Sequence, residues 1–315
     1  MDSNKLSARQ LSVASVVAGL SHAAALCGGI DWRWALAAIP VSVLLSWLLI
    51  RKAAAGPLFR GAGGGVLAAV YALWAVVMLS VVMERAARRI EIANARPGDG
   101  VWILLLFALP VLRMALGKRA SFFRAVEILW LAVVVLVAAV VVFAAPRIQW
   151  RWLIGPMRNG RESAVSLVLI LSPGLFSLPY IYKVEGKSLL RWQGVLGVAA
   201  ALLAAVTAGV LSPAVAEQLE LPFFVASGVL GKSVRGEGLI SALWLLPDLA
   251  LAGLLSRAWG GRYGPAAAVG LAVMLALTGI SNCFSPVILA VGTAFLLLLT
   301  LIIPAGKGRI VVSFW

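Results

Sequence analysis

Asp248 stands inside the apolar stretch Leu245-Leu246-Pro247-Asp248-Leu249, and the chain's one histidine, His22, follows Gly19-Leu20-Ser21 in another. An acid at membrane depth costs several kcal/mol unless it meets a cavity or a partner. Asp248 is therefore expected to face inward, either lining a ligand cavity or bonded as the neutral acid to a neighbouring helix. An imidazole at position 22 could bond a ligand or carry a proton, or pack between helices. Arg124 and Glu127 have the i, i+3 spacing of a structural ion pair on one helix face. Glu84 and Arg88, at i, i+4, suit a solvated extension of their helix. Other chemistry has little to stand on. One histidine and two distant cysteines, Cys27 and Cys283, make neither the usual metal-ligand sets nor a disulfide framework, so no metal, cofactor or enzyme activity is expected. The stretch from Ala226 to Ser233 fits a phosphate-binding loop only loosely: alanine replaces the first glycine, and no strand precedes it.

The elements that must position these groups follow from composition. Of 315 residues, 62% are hydrophobic and 12% charged, with a mean hydropathy of +1.02. A soluble domain carries about 25% charged residues. Continuous apolar runs also exclude an outer-membrane barrel, whose strands alternate, and leave α-helices that satisfy their own backbone. The net charge of +15 would suggest nucleic acid in a soluble protein. Here Lys and Arg lie between apolar runs, where they act as topology signals, so the bilayer and no nucleic acid is the expected partner. The excess on one side implies N-in and C-in orientation, with an uncleaved first helix.

Ten spans are expected, near 11–30, 34–50, 63–83, 101–116, 124–145, 163–182, 192–211, 237–256, 264–280 and 285–303. Spans one and six carry small or helix-breaking residues at matching depth: Gly19-Leu20-Ser21-His22 and Ser172-Pro173-Gly174. Matching interruptions in two halves point to an inverted-repeat transporter fold of five plus five helices. Spans one and six would then be broken, with a ligand at the midplane held by these residues and Asp248. Close packing at small residues is the plainer reading of the same pattern. The chain reads as a single transmembrane domain, residues 1–315, with repeats at about 7–145 and 160–303. Residues 212–236 are expected to lie on or dip into the outer face. With Arg85, Arg88, Arg89, Arg147 and Arg151 they offer a docking surface or an anionic-lipid contact.

Several motifs occur in a recognisable order: Ser7-Ala8-Arg9-Gln10-Leu11, Gly19, Asp31 near Trp34, Arg124-Ala125-Val126-Glu127, Pro156 to Gly160, and Leu221-Pro222 with Trp244 beyond. In these the chain resembles the spore germination receptor B-subunit family, the endospore germination permeases, of the amino acid, polyamine and organocation transporter superfamily. It departs in its shorter hydrophilic connections and in Gly238 after Glu237, where the family usually has arginine. The resemblance implies a leucine-transporter-like fold and a germinant-sensing subunit of the bacterial inner spore membrane. That subunit would bind a small amino-acid-like ligand and work with A and C subunits. Proton-coupled transport of amino acids or amines is the alternative, and a ten-helix drug or metabolite exporter a third; the long 212–236 connection argues against the exporter.

Overall fold

The computed structural model describes residues 7–55, 59, 61–94, 99–157, 160–177, 187–230, 240–259 and 264–303. Each of the ten apolar stretches contains a helix: α1 (Ala8–Leu26), α2 (Trp32–Ala55), α3 (Gly61–Asn94), α4 (Gly100–Leu116), α5 (Arg119–Ala144), α6 (Gly160–Ser177), α7 (Lys187–Leu211), α8 (Leu245–Ser256), α9 (Gly264–Leu277) and α10 (Pro286–Ile302). Shorter helices at Trp150–Ile154, Pro213–Gln218 and Pro222–Leu230 fill two connections, and no strand occurs among the described residues. Helices α1, α2, α3, α5 and α7 are long and apolar enough to cross a membrane; α4, α8, α9 and α10 are apolar but shorter. Pro179, Gly231 to Ser233 and Glu237 lie outside the described residues.

The bundle is apolar outside as well as inside. Along α5, Ile128, Leu131, Val135 and Val142 are exposed while Val126, Val133, Leu136 and Val140 are buried. Contiguous exposed apolar surface on this scale has no place in water and suits a bilayer. Helix α1 is the opposite case, buried continuously from Leu11 to Ala25. Its many Ala, Ser and Gly residues let α5, α6, α7 and α8 approach it closely.

Helix neighbours recur with an offset of five. Helix α1 packs on α5 as α6 does on α10; α1 on α7 as α6 on α2; α3 on α4 as α8 on α9; and α3 on α10 as α8 on α5. The pairs α1 with α6, α2 with α7, α3 with α8 and α4 with α9 are their own mates. The correspondence is not complete, since the close packing of α1 on α8 has no comparable α6–α3 counterpart.

The expected breaks are absent. Helix α1 runs unbroken through Gly19 to Ser21, and α6 through Ser172 to Gly174. A Cβ at Gly19 would lie 2.5 Å from Leu196 Cδ2 and 3.1 Å from the Ile170 carbonyl oxygen, so this glycine serves close packing rather than unwinding. Pro173 has no N–H to give the carbonyl of Leu169, which would lose its helical partner. The Ser172 hydroxyl donates to that oxygen at 2.7 Å and restores the bond. Proline is tolerated in membrane helices when a neighbouring Ser or Thr does this. In span eight Pro247 follows Trp244, a single turn residue between the helical residues 240–243 and α8.

Candidate functional site

Ser21 and His22 lie in the second half of α1, Arg85 and Arg89 one turn apart on α3, and Asp248 in the first turn of α8. The three helices bring these side chains into one cluster, buried at Ser21, His22, Arg89 and Asp248 and half-buried at Arg85. Asp248 Oδ1 accepts from the Ser21 hydroxyl at 2.5 Å, and its Oδ2 pairs with Arg89 Nη1 at 2.6 Å. Arg89 and Asp248 are 2% and 0% exposed, so water screens neither charge. Arg85 Nη2 donates to Ser21 Oγ at 3.0 Å, and Arg85 Nη1 lies 3.3 Å from His22 Nδ1. Arginine can only donate, so Nδ1 is the acceptor and the imidazole proton is on Nε2.

Two features set the cluster apart from a closed structural network. Its formal charges do not cancel, because Arg85 and Arg89 face the single carboxylate of Asp248. Several shielded donors also lack partners: Arg85 Nε, Arg89 Nε and Nη2, and His22 Nε2. Such groups are costly in a low-dielectric interior. Glu84 offers no compensation, because its carboxylate accepts from the Ser281 hydroxyl instead.

Aromatic groups cover the cluster. The Arg89 guanidinium lies over the Phe224 ring at 4.7 Å, and Phe223, Phe224 and Trp244 pack together at centroid distances of 4.7 to 6.0 Å. The Pro222–Leu230 helix therefore turns Phe223, Phe224 and Ser227 inward, against α1, α5 and α7. Outside this cover Arg88 pairs with Glu220 at 2.8 Å, both side chains being about half exposed. Glu84 and Arg88 lie on the extension of α3 that the sequence suggests, with Arg88 exposed, and each finds its partner on another element.

Of the sequence candidates, Ser21, His22 and Asp248 meet, and Asp248 faces inward as the cost of an acid in lipid requires. Leu20 is buried in the apolar core. Ser172 and Gly174 belong elsewhere: they line a cavity of about 70 Å³ between α2, α6, α7 and α10, together with Ser42, Gln193 and Thr293. Pro173 is buried in α6 beside it. Arg85 and Arg89, read from sequence as outward docking residues, point into the bundle. Val82 and Arg89 are seven residues apart on α3, so the buried face of Ala75, Met78, Val82 and Ala86 continues into Arg89. That periodicity was the signal available.

The pairing expected between Arg124 and Glu127 is also corrected. Arg124 is exposed, while Glu127 turns to the start of α1, where it accepts from Gln10 Nε2 at 3.3 Å and pairs with Arg9 Nε at 3.1 Å. Gln10 and Ser7 form the capping box of α1, so the Ser-x-x-Gln and Arg-x-x-Glu motifs meet at one junction. Asp31 serves as a second anchor. Its Oδ1 accepts from Arg33 N and Nε and its Oδ2 from Arg33 Nη2, at 2.8 to 3.0 Å, at the start of α2.

No protein-family model matches the chain, and no curated protein matches it in sequence. Among solved structures it is similar to the transporter MhsT, crystallised in complex with L-phenylalanine: TM-score 0.55, 16% identity, 93% of this chain and 78% of that one covered. At that identity the likeness carries the fold, an all-α, multi-pass membrane bundle of the leucine-transporter-like kind.

Proposed function

We propose that this protein is the germinant-sensing membrane subunit of a spore germination receptor, binding a small amino-acid-like molecule where α1, α3 and α8 meet. The observation that carries ligand binding is the largely buried cluster of Arg85, Arg89, His22 and Asp248, whose charge is uncompensated and several of whose donors are unspent. Structural networks close on themselves, whereas a binding site keeps polar groups in reserve. The transporter-like fold supports the same reading, as does the meeting of the Ser7–Gln10 and Arg124–Glu127 motifs at one junction. In this reading the protein sits N-in and C-in in the bacterial inner spore membrane, with repeats at 7–145 and 160–303, and assembles with A and C subunits. Ser172 to Gly174 and Gly19 then shape the bundle rather than touch the ligand.

Proton-coupled transport of an amino acid or amine is the second reading. What favours it is the contact of two titratable side chains, His22 and Asp248, with the same Ser21–Arg85 pair. Purified protein in proteoliposomes, tested with a panel of L-amino acids for equilibrium binding and for uptake under an imposed proton gradient, separates the two. Saturable binding without uptake supports sensing, uptake supports transport, and absence of both contradicts a ligand site of this class.

A further inference from the structure

Arg89 has five N–H donors on two edges of a planar fork. Asp248 engages Nη1, and the edge formed by Nε and Nη2 has no partner. That edge presents two parallel N–H groups at the spacing of carboxylate oxygens. The same protein shows it in use: Arg33 holds Asp31 side-on, with Nε donating to Oδ1 at 3.0 Å and Nη2 to Oδ2 at 2.8 Å. At Arg89 the equivalent edge is free although the side chain is only 2% exposed. Arg85 adds a second unspent Nε and the positive charge that Asp248 cannot balance.

From this free edge and spare charge we infer that the cluster is a carboxylate receptor: the ligand is a small acid, held through its carboxylate by Arg89 Nε and Nη2 with help from Arg85. The ligand's carboxylate brings the charges in contact there, Arg85, Arg89, Asp248 and that carboxylate, to zero. Asp248 acts as the standing counter-ion of Arg89, its Oδ1 accepting from the Ser21 hydroxyl and its Oδ2 paired with Arg89 Nη1. The inference rests on the ligand site proposed above and specifies which end of the ligand the arginines take.

Matched acids and amides test it: L-alanine against L-alaninamide and L-phenylalanine against L-phenylalaninamide, with binding measured by calorimetry on the purified full-length protein. A bidentate charge-assisted contact predicts that the acid binds at least about tenfold more tightly than its amide. Arg89→Gln should bring that ratio close to one. Asp248→Asn removes the competing carboxylate and should tighten acid binding. The acid and amide comparison on the unaltered protein needs no variant to fold, and Arg89→Lys serves as a second variant that keeps the charge and loses the fork. Equal binding of acid and amide overturns the carboxylate assignment while leaving the ligand site standing. Loss of acid binding in Asp248→Asn, with the fold intact by circular dichroism, overturns it in favour of Asp248 as the ligand group. If neither acids nor amides bind, this inference and the ligand reading beneath it fall together.

Discussion

Arg89 on α3 and Asp248 on α8 form an ion pair at 2.6 Å with both side chains withdrawn from solvent, so each is the principal reason the other is tolerated inside an apolar bundle. The next cation along the helix differs in kind. Arg88 pairs with Glu220 at a similar distance but in a setting about half exposed to solvent. Neighbouring arginines on one turn thus face opposite demands.

Substitution should expose that contrast. Arg89→Ala strands Asp248 and is expected to cost about 3–5 kcal/mol, and Arg88→Ala at most about 1 kcal/mol. Melting temperatures in detergent check this, and the double variant Arg89→Gln with Asp248→Asn should recover much of the loss. Equal effects at positions 88 and 89 would contradict the burial of the pair.

The Ser172 hydroxyl and the Leu169 carbonyl make a second test. Ser172→Ala leaves that carbonyl without a donor ahead of Pro173 and is expected to cost about 1–3 kcal/mol. In a Pro173→Ala background the backbone N–H returns and the same change should cost far less. A double-mutant cycle in thermal unfolding reads the coupling, and additive effects would show that the hydroxyl does not stand in for the missing N–H.

Close packing at Gly19 predicts a rescue. Gly19→Val drives a side chain into Leu196 and the Ile170 carbonyl, and the yield of monodisperse protein on size-exclusion chromatography should fall steeply. Leu196→Ala should restore part of it. Tolerance of Gly19→Val without compensation would revive an unwound segment here.

At the start of α1, Glu127→Ala removes the partner of both Arg9 and Gln10 and should lower the melting temperature, whereas Arg124→Ala should leave it unchanged. The reverse order would restore the local Arg124–Glu127 pair.

Much of the fold was legible because lipid imposes a one-dimensional rule: a spanning segment must be long, apolar and helical. Asp248 was legible for the same reason, since an acid in such a segment must turn inward. Its partners were not. Hydropathy places Arg85 and Arg89 beyond the end of span three, while α3 continues to Asn94 and carries both into the bundle. The supposed breaks failed for a local reason, because one hydroxyl at Ser172 cancels what Pro173 removes. Glu127 found Arg9 across the bundle instead of Arg124 on its own helix, a choice set by how α1 meets α5, which spacing along one helix cannot reveal.

The most direct test of the central claim is hydrogen exchange, followed by mass spectrometry, on the purified protein with and without a panel of L-amino acids. Ligand bound at the cluster should slow exchange in peptides covering His22, Arg85 to Arg89 and Asp248, with little change around Ser42, Ser172 and Gln193. Protection confined to that second group, or no protection with any amino acid, would contradict the assignment of the site.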